Sequence, residues 1–193
     1  MHQIAIFASG SGSNAQRIAE YFAGHPQIGV GLMLTNNPRA GVIDRARQLG
    51  IPVSVFTREQ FYGSDGVVAQ LQFFNVDFVV LAGFLWLVPE NLIAAYPHRI
   101  VNIHPALLPA YGGKGMYGMK VHEAVVAARE KASGITIHLI DNEYDRGRMV
   151  FQAQCPVAPE DTPADVARKV QALEHEHFPA VIERLVLETE LKS

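Results

Sequence analysis

The feature that most constrains the fold is a set of short apolar runs that alternate with longer amphipathic segments. The run DFVVLAG at 77–83 is apolar at successive positions, as in parallel strands that are covered on both faces. Such runs predict seven strands, at 3–8, 28–34, 52–55, 77–82, 100–103, 134–140 and 150–157. The segments between and after them fit helices at 14–22, 41–49, 66–73, 89–95, 118–129 and 163–190. This alternation predicts a doubly wound, mostly parallel α/β sheet.

The start of the last predicted helix has a clear sequence signal. Thr162 is placed as the N-cap, Pro163 occupies the first helical position, and Asp165 lies three residues after the cap. This arrangement is typical of a capping box, in which the cap and the acidic residue satisfy each other's backbone N–H groups.

Size and charge fit a single globular domain that binds small molecules. The chain has 193 residues, 49% of them hydrophobic and 18% charged, which is enough to bury a substantial core. Its net charge is −3 and it contains no run of Lys or Arg, so it lacks the basic surface of a nucleic-acid binder. We therefore expect no nucleic-acid partner.

The expected location is cytoplasmic. The first residues, MHQIAIFA, lack the basic region of a signal peptide, and no apolar run reaches the length needed to span a membrane. Cys155 is the single cysteine, so it cannot form an internal disulfide, which fits a reducing compartment.

A glycine-rich turn, GSGSNA at 10–15, follows the first predicted strand. It matches the G-x-G-x-x-A pattern of dinucleotide-binding turns, but the second strand ends LTNNP, without the acidic residue that would hold a ribose. Glycines let backbone N–H groups approach an anion at a helix start, and Ser11, Ser13 and Asn14 add short polar side chains. We favour a monophosphate site over a dinucleotide site or a simple tight turn.

Asn102 and His104 lie two residues apart in the fifth predicted strand, so their side chains point to the same face. Pro105 favours an extended backbone at His104. An amide donor beside an imidazole suits the polarisation of a carbonyl and the transfer of a proton. The alternative is a structural histidine next to a strand-end asparagine.

A carboxylate would orient His104 and favour its charged form. Spacing does not choose among the three candidates in the loop after the sixth strand, which are Asp141, Glu143 and Asp145. His138 in that strand is either a core histidine or part of the same face. The sequence HEH at 175–177 has no matching ligand pair elsewhere, so no metal site is predicted.

Four motifs in this order resemble those of the folate-dependent formyltransferases: SGSGSN, LAGF, NIHPALLPAYGG and GITIHLIDNEYDRG. The resemblance covers nearly the whole chain, and the first motif is similar to that of the branch acting on glycinamide ribonucleotide. It implies a Rossmann-like formyltransferase fold in one domain, 1–193, with ribonucleotide binding in the N-terminal half and folate binding and catalysis in the C-terminal half. The implied reaction of purine biosynthesis transfers the formyl group of 10-formyltetrahydrofolate to the amine of glycinamide ribonucleotide, without a metal.

The resemblance also implies roles for individual residues. The phosphate would be bound by Gly12, Ser13 and Asn14. The catalytic residues would be Asn102, His104 and Asp145, with Asp145 raising the pKa of His104 and relaying protons. The folate would be bound by Arg58, Leu85, Trp86, Leu87, Val88, Asn102 and His138. Trp86 stands where many relatives carry an arginine.

Other functions remain as alternatives. Another enzyme that uses 10-formyltetrahydrofolate, either a hydrolase or a formyltransferase acting on methionyl-tRNA or an amino sugar, shares the main motifs. The methionyl-tRNA enzymes have a further C-terminal domain and the hydrolases a further N-terminal module, for which we expect no room in 193 residues. A non-catalytic nucleotide- or folate-binding module is less favoured. A homodimer is left open.

Overall fold

The protein folds around one seven-stranded sheet with helices on both faces. The computed structural model describes residues 1–140 and 147–190. The strands are β1 (His2–Phe7), β2 (Ile28–Thr35), β3 (Val53–Val55), β4 (Phe78–Leu81), β5 (Ile100–His104), β6 (Ala132–Leu139) and β7 (Met149–Pro156). The helices are α1 (Ser13–Tyr21), α2 (Val42–Gln48), α3 (Gly66–Phe73), α4 (Glu90–Ala95), α5 (Met119–Ala127) and α6 (Pro163–Glu190). Each predicted strand and helix is present, and the predicted fold class is confirmed.

The strand order is β3-β2-β1-β4-β5-β6-β7. Strands β1 to β5 are parallel to one another, whereas β6 pairs antiparallel with both β5 and β7. Because the chain moves outward from β1 to β3 and then returns to β4 on the other side of β1, the order reverses between β1 and β4. Ligand clefts form at such a switch point, beyond the carboxyl ends of the strands.

Strand β1 shows how the two faces of the sheet are covered. Ile4 and Ile6 point into a core built with α1, α2, α5 and α6. Ala5 and Phe7 point the other way, into a core built with α3 and α4. Because successive side chains of a strand alternate between faces, a central strand needs apolar residues at every position, as its sequence shows.

Helix α6 begins with the predicted capping box. The Thr162 backbone N–H donates to Asp165 Oδ2 at 2.9 Å, and the Asp165 N–H donates to Thr162 Oγ1 at 3.2 Å. The helix then runs for 28 residues and contains Pro179. In the part of the chain that the structure describes, no helix is both long enough and apolar enough to cross a bilayer.

A short π-helical turn at Glu59–Gly63 lies between β3 and α3, and the sequence analysis did not predict it. It buries Phe61, whose ring stacks on Phe56 with a centroid distance of 5.0 Å. The sequence gives no signal for this turn, because five residues are too few to show a helical period.

Candidate active site

A cavity of about 840 Å³ opens at the carboxyl ends of β1, β4 and β5. The glycine turn after β1, the segment 83–88 after β4, and the end of β5 all line it. The loop 113–118 and one side of α6 complete the wall. The topology therefore brings together three motifs that lie far apart in the sequence.

The backbone at the glycine turn is fixed by its neighbours. Gly12 has φ 75°, and a Cβ built there would lie 2.6 Å from the Cβ of Val42, so only glycine fits. Arg45 Nε donates to the Ser11 carbonyl at 2.8 Å, and the Leu85 N–H donates to Ser9 Oγ at 3.0 Å. Within 1–140 and 147–190 no side chain caps the start of α1, so its first N–H groups have neither an intrahelical nor a side-chain acceptor, and this helix start favours an anion.

Two side chains of α6 contact this turn, and the sequence analysis missed both. Asn14 Nδ2 donates to Glu174 Oε2 at 2.7 Å, and Gln171 Nε2 donates to Ser13 Oγ at 3.0 Å. Burial raises the pKa of the Glu174 carboxyl, while the hydrogen bond from Asn14 acts in the opposite direction. The only local signal was that positions 171 and 174 share a face of the predicted helix.

Asn102 and His138 form a hydrogen-bonded pair in the middle of the sheet. The two residues lie opposite each other in the β5–β6 register, so their side chains share a face. Asn102 Nδ2 donates to His138 Nε2 at 3.1 Å. Asn102 lines the cavity, whereas His138 is 1% exposed and lies behind it.

His104 ends β5 at the cavity wall and is 4% exposed. Its Nε2 donates to the carbonyl oxygen of Tyr111 at 2.8 Å. The chain between these two residues is held by Thr136, opposite His104 in the register, whose Oγ1 donates to the Ala106 carbonyl at 2.7 Å. The imidazole is thus placed by the β5–β6 pairing before Pro105 and by the contacts at the Ala106 and Tyr111 carbonyls after it.

The segment 85–88 forms an apolar side of the cavity. Leu85 and Leu87 are 49% and 36% exposed, while Val88 is buried. Trp86 also lines the cavity and packs against Tyr62, with a centroid distance of 5.8 Å. The Arg58 guanidinium lies 5.8 Å from the Trp86 ring, next to the wall rather than among the lining residues.

His122 also belongs to this cavity, and no sequence motif singles it out as functional. It lines the wall on α5, is 6% exposed, and its Nδ1 has no hydrogen-bond partner among the described residues. Burial lowers the pKa of His122, and electrostatic repulsion from His104 lowers it further, so the ring is neutral at pH 7.

The predicted catalytic Asp145 lies outside the described residues, as do the alternative carboxylates Asp141 and Glu143. Its role therefore stays a prediction. Within 1–140 and 147–190, the structure contains no group of three His, Cys, Asp or Glu residues arranged to hold a metal ion.

These side chains offer hydrogen-bond donors beside an apolar wall. Asn102 and His104 can stabilise a negative oxygen that forms between them. The helix start at Asn14, which lines the same cavity, can hold an anion. Such an arrangement suits acyl transfer between an anionic acceptor and a donor with a flat apolar ring.

Comparison with known proteins agrees with this chemistry. A family model described as formyl transferase matches residues 2–182. The chain belongs to the formyl transferase family. The resemblance seen in the four motifs is thereby confirmed.

Individual members of the formyl transferase family are similar along most of the chain. A phosphoribosylglycinamide formyltransferase of Bacillus subtilis is 31% identical, over 96% of this chain and 95% of that protein. The crystal structure of the enzyme of that name from Bacillus halodurans superimposes with a TM-score of 0.85 at 39% identity, over 95% of each chain. The chloroplastic phosphoribosylglycinamide formyltransferase of Arabidopsis thaliana is 45% identical over 93% of this chain. The chain spans only 64% of the length of that plant relative.

Proposed function

We propose that the protein transfers the formyl group of 10-formyltetrahydrofolate to the amine of glycinamide ribonucleotide, a step of purine biosynthesis. The observation that carries the proposal is the single cavity of about 840 Å³. The helix start at Asn14, the apolar wall at Trp86, and the polar pair Asn102 and His104 all line it. One cavity can therefore hold a phosphorylated acceptor and a folate donor with their reacting groups beside Asn102 and His104.

The proposed reaction begins when the amine nitrogen attacks the formyl carbon. The carbonyl π electrons move to oxygen, and donors from Asn102 and protonated His104 stabilise this oxyanion, each by roughly 3–4 kcal/mol when well placed. The intermediate then collapses, the bond from carbon to folate N10 breaks, and the proton lost by the amine ends on N10. We assign the relay of that proton to Asp145, as the family resemblance implies.

The ribonucleotide phosphate is proposed to bind at Gly12, Ser13 and Asn14. The unsatisfied N–H groups at the start of α1 favour an anion, and Asn14 supplies a side-chain donor. Glu174, which accepts a hydrogen bond from Asn14, fixes the orientation of that amide. The phosphate takes no part in the chemistry; its binding energy holds the amine in line.

The folate is proposed to bind along Leu85, Trp86, Leu87 and Val88, with Arg58 behind Trp86. Exposed leucine side chains in a cavity wall favour a flat aromatic ring system. His138 lies behind Asn102, so its proposed contribution is to hold the Asn102 amide rather than to contact the folate. The substrates are small molecules, and we propose that the protein acts in the cytoplasm.

The test is a formyl-transfer assay on the purified protein. Loss of 10-formyltetrahydrofolate is followed by absorbance, and formylated ribonucleotide is identified by mass spectrometry. We expect turnover that requires glycinamide ribonucleotide. Equal loss of the formyl group without acceptor would identify a hydrolase, and turnover only with an amino sugar or methionyl-tRNA would identify a different transferase.

A further inference from the structure

The main chain at Tyr111 contacts His104, the residue proposed to stabilise the oxyanion, and the proposed reaction does not use this contact. His104 Nε2 lies 2.8 Å from the Tyr111 carbonyl oxygen. A carbonyl oxygen only accepts hydrogen bonds, so Nε2 carries a proton whether the ring is neutral or charged. The contact therefore fixes the orientation of the ring and the position of one of its protons.

The Tyr111 backbone adopts an unfavourable conformation to make this contact. Its φ is 55°, in the left-handed region that residues with a Cβ rarely occupy. Such a conformation persists only where its surroundings fix it, and it occurs often at functional sites. The preceding residues are held by Gln152, whose Nε2 donates to the Leu108 carbonyl at 3.0 Å.

The ring of Tyr111 is fixed at its far end by Glu130. Tyr111 Oη donates to Glu130 Oε1 at 2.7 Å, and the ring packs against the buried core. The hydrogen bond to Glu130, followed by burial and the carboxylate charge, raises the pKa of Tyr111, so its hydroxyl remains a donor. Glu130 is exposed and lines a separate pocket of about 450 Å³, away from the active-site cavity.

We propose that Glu130 and Tyr111 are positioning residues for His104. Glu130 holds the Tyr111 ring, the ring holds the left-handed backbone, and the carbonyl holds the imidazole in its working orientation. The inference rests on the proposed function, in which His104 stabilises the oxyanion. It extends the active site to a side chain that touches neither substrate.

The test compares four variants in the transfer assay. Tyr111→Phe keeps the packed ring but removes the hydroxyl, and Glu130→Ala removes the acceptor. Both are expected to lower kcat about tenfold, because small misplacements of a reacting group are costly. KM for each substrate should stay within about twofold, since neither side chain lines the cavity. Glu130→Gln keeps an acceptor oxygen and should restore kcat, and Glu123→Ala, an exposed carboxylate on α5, should match the parent.

Three results would overturn the proposal. The first is a kcat for Tyr111→Phe and Glu130→Ala within about twofold of the parent. The second is a loss of kcat in Glu130→Gln equal to that in Glu130→Ala. The third is a fall in kcat that is matched by a fall in the thermal midpoint of the same variant. An activity-independent measurement separates this proposal from the proposed function. In protein labelled with ¹⁵N at its histidines, the Nε2–H signal of His104 is assigned by its loss in His104→Asn. This proton should exchange with solvent slowly in the parent and fast in Glu130→Ala. If the parent transfers no formyl group, the proposed function fails, and this spectrum alone decides the positioning.

Discussion

Replacing Gly12 by alanine is predicted to destabilise the fold where the phosphate is proposed to bind. The new Cβ would lie 2.6 Å from Val42 Cβ and 2.7 Å from Val42 Cα, so the clash is with backbone as well as side chain. Holding a residue with a Cβ at φ 75° costs about 1–2 kcal/mol. Overpacking against α2 adds about 1–3 kcal/mol. We therefore expect the free energy of unfolding to fall by about 2–5 kcal/mol.

Urea denaturation followed by circular dichroism measures this change, and the thermal midpoint should fall by roughly 4–20 °C. Gly10→Ala is the matched control for stability, because no non-neighbouring atom of the described residues lies within 4 Å of a Cβ built at Gly10, and its φ is outside the left-handed region. The control should change the free energy of unfolding by less than about 0.5 kcal/mol. Equal stability of the two variants would refute the argument that close approach of α2 requires glycine at position 12.

Three further predictions concern the reaction and helix α6. Asp145→Asn should lower kcat by roughly 10²–10⁴-fold with little change in KM, and full activity in steady-state kinetics would contradict its assignment. Asn14→Ala should raise KM for the ribonucleotide about tenfold while the folate KM stays constant, because a hydrogen bond to a charged phosphate is lost. Hydrogen bonds from Thr162 lower the pKa of Asp165 in the folded protein below its ordinary value of 3.8. The Asp165 carboxylate therefore stabilises α6 at a pH above 3.8, and this stabilisation is lost as the pH falls through the lower pKa of the folded state. The thermal midpoints of the parent and Asp165→Asn should therefore differ at neutral pH and converge in acid.

Local patterns were sufficient to predict the strands and the face shared by Asn102 and His104. Strand alternation has a period of two, and Pro105 extends the backbone, so the geometry follows from three adjacent residues. The reversed direction of β6 was not predictable in the same way. Strand direction depends on connections and packing, whereas an apolar run reads the same in either direction.

Contacts between distant segments explain what the sequence analysis missed. Glu174 lies 160 residues from Asn14, and no local pattern connects a helix carboxylate with a glycine turn that far away. His122 was not singled out because its neighbours on α5 are ordinary core residues, and only the fold places that helix beside the cavity. The Tyr111 contact with His104 depends on a main-chain carbonyl, which leaves no trace in residue identity.

The hydrogen bond between Asn14 and Glu174 also sets when a newly made chain completes the proposed phosphate site. Translation at about 5–20 residues per second separates the two residues, 160 positions apart, by roughly 8–30 s. During that interval the glycine turn exists without the helix that orients Asn14. With the proposed phosphate site, we therefore expect the ribonucleotide to stabilise a chain with α6 docked more than it stabilises earlier folding intermediates.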